Sequence, residues 1–214
     1  MKYLYVLAIS AIMFSCQESK DENGKSDNNK NDSLSDNENV VYATVDERLN
    51  KDEVIISIRT VFEEINKSES ALKKETFESY LPSSEGGEID YFTDKSGNIV
   101  KIHHKVYGEG GHFEEEYYFN ENELIFMFTR DFTYNAPYFV DEKMAEENGT
   151  EAYDSSKDKI VQNRYYFYDG KLYFWLDNDR KEISIENEEF ASAQEAAYIS
   201  VDEMKEYYKS VKSK

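Results

Sequence analysis

Apolar residues recur along this chain with two different periods, and the change of period marks where helix gives way to sheet. Val54, Ile58, Val61, Phe62 and Ile65 fall on one stripe of a helix, which predicts helix from Lys51 to Asn66. Asn50 followed by Glu53 has the form of a capping pair at its start. Residues 68–80 fit a first strand or a continued helix equally well. From Glu88 the period becomes two and hairpins follow one another. Asp90–Thr93 and Ile99–Tyr107 flank the turn Asp94–Asn98, and Gly108-Glu109-Gly110-Gly111 turns into His112–Phe119. Asn120–Glu123 turns into Leu124–Phe132. Last, Arg164–Tyr168 and Lys171–Leu176 flank Asp169-Gly170, a strong two-residue hairpin signal.

The second hairpin carries its own register check. Pairing Tyr107 with His112 sets Val106 against Phe113, Lys105 against Glu114 and His104 against Glu115. Apolar partners and opposite charges then meet across the strands. A polar insertion, Thr133–Lys159, separates two strands and includes a candidate short helix at Asp141–Glu147; loops of this length are often functional. At the C-terminus, Ala197, Val201, Met204, Tyr208 and Val211 form one helical seam, with a capping pattern at Ser200–Glu203 that allows a break. The fold class expected is α+β: an antiparallel β-meander with an N-terminal and a C-terminal helix packed on one sheet face.

Composition narrows the picture. Of 214 residues, 25 are Lys or Arg and 45 are Asp or Glu. Loss of a leader containing Lys2 would leave a net charge of −21, which repels nucleic-acid phosphates, so no nucleic-acid partner is expected. There is one cysteine, Cys16, so no internal disulfide can form. Its position gives it another meaning. Lys2, an apolar run from Tyr3 to Phe14 and a small Ser15 have the layout of a secretory signal, too short for a membrane-spanning helix. Met13-Phe14-Ser15-Cys16 resembles a lipobox, which implies acylation of Cys16. Lys20-Asp21-Glu22 resembles signals that send lipoproteins to the cell surface. The organisation expected is a signal peptide at 1–15, a disordered polar tether at 16–45 and a single α+β domain at 46–214. The protein is thus expected to be exported and lipid-anchored to the cell membrane or outer membrane through Cys16, with surface exposure as one destination.

Catalytic patterns are missing from the sequence. No nucleophile elbow and no His-Glu-x-x-His helix occur, and paired carboxylates carry no information among so many acids. His103, His104 and His112 share one hairpin, but neighbours in a strand face opposite ways, so no metal site and no cofactor is expected. The strongest functional signal is aromatic. Tyr165, Phe167, Tyr173 and Trp175 alternate with Tyr166, Tyr168, Leu172, Phe174 and Leu176, so both faces of the last hairpin carry rings. If helices cover one face, the other presents rings for stacking on sugars or gripping peptides. Tyr134 and Tyr138 of the insertion join them as candidate ligand-binding residues.

The stretch from Val61 to Asp179 resembles an uncharacterised family of small bacterial envelope lipoproteins. The resemblance is carried by Glu85-Gly86-Gly87-Glu88, Tyr117-Tyr118-Phe119, Tyr134-Asn135-Ala136-Pro137, Asn163–Tyr168 and Trp175-Leu176-Asp177-Asn178. It implies an aromatic-rich antiparallel domain and no assigned activity. The function expected is a non-enzymatic envelope module that binds an unknown envelope protein or small ligand. Two alternatives stand beside it. One is an envelope hydrolase with a carboxylate-based site, using Asp131 or Glu115 beside Arg130 or Arg164. The other is a structural or inhibitory module with one broad complementary surface.

Overall fold

A computed structural model describes residues 42–81, 83 and 85–213. Residues 1–41, which include the segments read as a signal peptide and most of a tether and the candidate lipid-attachment site Cys16, lie outside the described residues. The chain from 41 onward forms one compact unit. Thr44, expected in the tether, already caps the first helix by accepting from the Glu47 amide.

The N-terminal helix is two helices. α1 spans Val45–Lys51 and α2 spans Glu53–Ser68. They meet at Asp52, whose backbone is extended and whose carboxylate accepts from the Val54 and Ile55 amides. The cap is therefore Asp52 and not Asn50, because a carboxylate two residues before those amides reaches them directly. Residues Lys73–Glu78 resolve the ambiguous stretch as strand β1. Then follow β2 (Gly87–Thr93), β3 (Ile99–Gly108), β4 (Gly111–Asn120) and β5 (Glu123–Thr133). After the insertion, with α3 at Glu142–Asn148, come β6 (Lys159–Tyr168), β7 (Lys171–Leu176) and an unbroken α4 (Glu188–Lys212).

All seven strands form one antiparallel meander in chain order. The register proposed for the second hairpin is the one observed, from Tyr107↔His112 to His104↔Glu115. Two-residue turns at Glu121-Asn122 and Asp169-Gly170 run through positive φ, as primed hairpin turns require.

The two helical layers lie on opposite faces of the sheet, not on one. α1 and α2 bring Leu49, Ile55, Ile58 and Ile65 against Tyr118, Phe126, Tyr166, Phe174 and Leu176. α4 brings Phe190, Ala197, Val201 and Met204 against Ile102, Tyr117, Met127, Tyr165 and Trp175. The reason is visible in the strand sequences. Their central segments are apolar at consecutive positions, so each face has rings to bury, and one helical layer can cover only one of them.

Three β-bulges adjust this alternation. Opposite Phe92/Thr93, Tyr118/Phe119 and Tyr166/Phe167 the register skips one residue: Val100, Ile125 and Tyr173 respectively. All three occur in the strand leaving a turn at the same end of the sheet. All three inserted side chains pack on the α1–α2 side. Each bulge thus adds an apolar contact to the face under the N-terminal helices.

Candidate functional site

A concavity bounded by described residues lies beside the β6–β7 turn. It is a groove of about 760 Å³ between that turn, α1, the segment 182–185 and the first turn of α4. The chain shapes it in a definite way. After β7, Asp177 binds the Lys181 amide through its side chain and the Arg180 amide through its carbonyl, which reverses the chain. Glu182 bridges to Leu176, and the Ile183 amide donates to the Trp175 carbonyl. Past Ile183 the chain leaves the β7 edge and turns at Ser184–Asn187 into α4. The edge of β7 beside Tyr173 therefore borders the groove and not another strand.

The walls are aromatic and aliphatic. Tyr168 is 56% exposed and meets Tyr173 edge-on at 6.0 Å between ring centres. Ile185, 75% exposed, stands across from them, with Ile183 and Phe190 below. Tyr173 is fixed from behind: its hydroxyl donates to Asp52 at 2.8 Å, and the Arg48 guanidinium stacks over its ring at 5.2 Å. Burial, then the Asp52 carboxylate, raise the pKa of this hydroxyl, so it remains a donor. Arg48 is in turn ion-paired with Glu182 on the far rim. One acid, Asp52, thus caps α2, holds Tyr173 and faces Arg48 at 3.5 Å.

The six candidate aromatic residues do not form one surface. Tyr165, Phe167 and Trp175 lie beneath α4, all under 9% exposed, and the Trp175 indole donates to Asn163. They are core, because the face expected to be open is covered by the C-terminal helix. Tyr173 was grouped with them by simple alternation, but the bulge at Tyr166/Phe167 turns it to the other face, where it reaches the groove. Tyr134 and Tyr138 belong to the insertion at the opposite end of the sheet. Their backbone amides bind Gly110 and Glu109 in the β3–β4 turn. Tyr134 donates to or accepts from His112 at 2.7 Å and packs on Tyr153, so the insertion folds on itself and on that turn.

No family model matches this chain, and comparisons with curated proteins and with solved structures found no match.

The catalytic alternative meets a geometric obstacle. Glu115, Thr129 and Asn163 form one row across the sheet, while Glu114, Arg130 and Gln162 form the next, facing the other way. Arg130 and Arg164 therefore stand on the face opposite Glu115 and Asp131. Adjacent numbers in a strand are separated by the thickness of the sheet. On its own face Arg130 is already paired, contacting Glu114 at 2.6 Å and Glu116 at 2.8 Å, while Arg164 bonds Gln162.

One polar alignment was invisible in the sequence. Ser79 Oγ lies 2.8 Å from His104 Nε2, and His104 Nδ1 lies 3.6 Å from Glu115. Gly87 makes this approach feasible, since a Cβ there would stand 2.9 Å from that of Ser79 and 2.4 Å from the Lys105 carbonyl oxygen. A serine, an imidazole and a carboxylate in line have the order of a nucleophile relay. Its surroundings are structural, however. His104 is 1% exposed beneath the ring of Tyr80, and Ser79 Oγ also accepts from the Leu81 amide. The line holds β1, β3 and β4 together and orients Glu115.

Proposed function

We propose that this chain is an exported, lipid-anchored binding module that captures an extended peptide segment of an envelope partner in the groove beside the β6–β7 turn. The anchor rests on the signal-like leader and on Cys16. The binding reading rests on one observation: Tyr168 and Ile185 remain exposed on either side of a groove that borders the β7 edge. Rings and aliphatic side chains exposed around a preformed concavity are the usual anchors of recognition surfaces. A strand edge next to them offers backbone groups to an extended chain, while the groove receives alternate side chains. The strongly acidic surface attracts a basic partner by long-range steering.

The function can be tested without disturbing the fold, because the two exposed anchors support no core contact. A photo-crosslinking residue at Ile185 in intact cells should trap a discrete partner. Tyr168→Ala with Ile185→Ser should lose it while the melting temperature stays unchanged. Undiminished capture by the double variant would dismiss the groove. Mass spectrometry of the mature protein tests the anchor separately: a free thiol at Cys16 would remove the lipid from the reading and leave the groove untouched.

A further inference from the structure

Between α4 and the middle of the sheet a second cleft, about 310 Å³, lies over β4, β5 and β6. Its helical wall is made of small side chains, Ala193, Ala196, Ala197 and Ser200, so α4 does not fill the space above the strands. Taken alone that is a packing gap. Two features of the sheet wall change its meaning.

The first is an orphaned hydroxyl. Tyr117 is fully buried, lines the cleft, and its oxygen has no hydrogen-bond partner. Glu115 and Ser200 stand near enough to affect its titration but outside bonding geometry. Buried hydroxyls without partners are rare because desolvation is left uncompensated. The second is one-sided charge. Glu115 and Asp131 line the cleft, and no lysine or arginine does. Among the described ion pairs Glu115 has only His104, while Phe113, Met127, Val161 and Tyr165 with the neutral Thr129 and Asn163 complete the sheet wall.

The geometry points to a binding site for a small organic amine, its ammonium held between the Glu115 carboxylate and the Tyr117 hydroxyl and its apolar body lying against Tyr165 and the alanines of α4. An ammonium has three donors and no acceptor, which matches a carboxylate and a phenolic oxygen with a free lone pair. It also neutralises charge that a sugar would leave unbalanced, and an anionic ligand would be repelled. Burial and the neighbouring Glu115 push the Tyr117 pKa well up, so the ring stays neutral and its oxygen keeps a lone pair for the ammonium. His104, held by Ser79, is a positioning residue for Glu115. The cleft takes a molecule with about one ring and a short amine arm. This site is independent of the groove and of the lipid anchor.

Titration calorimetry of the full mature chain near neutral pH tests it, with phenethylamine and its neutral isostere phenethyl alcohol as probes. The amine should bind and the alcohol should bind at least tenfold more weakly. Tyr117→Phe, which deletes an unbonded oxygen and keeps the fold, should weaken the amine about tenfold. Glu115→Gln should erase the preference for amine over alcohol. Ala196→Leu should close the cleft to both probes. Equal binding of the two probes, no binding of the amine, or amine binding unchanged in both Tyr117→Phe and Ala196→Leu would overturn the proposal.

Discussion

The two faces of the sheet are built from the same strands, residue by alternate residue, yet they treat charge in opposite ways. On the α1–α2 side the charged groups form a ladder of ion pairs, although Arg130 Nε and His103 Nε2 lack hydrogen-bond partners. Lys101 is 6% exposed and contacts Glu69 at 2.8 Å and Glu116 at 3.1 Å. Glu116 and Glu114 share Arg130, Glu114 also faces Lys105 at 3.3 Å, and Asp90 takes Lys74 at 2.8 Å. On the α4 side the middle of the sheet carries Glu115, which faces only His104 at 3.6 Å, and the Tyr117 hydroxyl, which has no hydrogen-bond partner. Consecutive tyrosines make the contrast compact. Tyr118 donates to Glu116 at 2.6 Å with Asn66 at 3.1 Å, while Tyr117, one residue earlier, bonds to nothing. A polar group that the fold satisfies specifies the fold. One that the fold leaves unsatisfied, at the wall of a cleft, is available to a ligand.

The contrast breaks most severely at Lys101. Lys101→Met would leave Glu116 with only Arg130, which it shares with Glu114, and should lower unfolding stability by about 4 kcal/mol in chemical denaturation. On the opposite face, Met204→Ala removes a fully buried side chain of α4 and should cost about 3 kcal/mol by the same measurement. A finding that Lys101→Met costs less than about 1 kcal/mol would mean that the ladder does not hold its face together.

Smaller effects sharpen the comparison. Tyr118→Phe should destabilise by about 1.5 kcal/mol, and Tyr117→Phe should be neutral or stabilise by up to about 1 kcal/mol, because only the first loses a bond. Equal losses for both would show that Tyr117 finds a partner in solution. The ladder should also respond to acid. Burial holds the His103 imidazole below its ordinary value, with Glu116 and Glu114 pulling the other way and Lys105 and Lys101 adding to the depression. The unfolded chain then binds a proton that the fold resists, so the contribution of His103 is full above about pH 6.5 and is lost as the pH falls below it. Thermal melts between about pH 7.5 and pH 5.5 should show this decline, and His103→Asn should flatten it. Tyr168→Ala, at the exposed groove, should change stability by less than about 0.5 kcal/mol.

How much of this was legible in the sequence depends on the range of the interaction. The hairpins from β2 to β7 were readable because turn chemistry and period-two alternation act between near neighbours. The pairing His104↔Glu115 followed from charge matching across a short turn. Strand β1 was ambiguous because Lys73–Glu78 has little apolar contrast and gains its pairing from β2. The groove was half-visible: Tyr173 was singled out, but for the wrong face, since a bulge shifts alternation by one residue and leaves no mark in composition. Ser79 and His104 lie 25 positions apart, and only the meander brings them together.

Local rules acting on this chain determined the antiparallel meander, its order and most of its register. Tertiary packing alone decided that the two helical layers would cover opposite faces. With rings on both sides of the central strands, neither face could remain in water without a large loss of apolar burial. That same decision buried Trp175 and enclosed Tyr117 beside Glu115, whereas the β6–β7 bulge set Tyr173 against the groove.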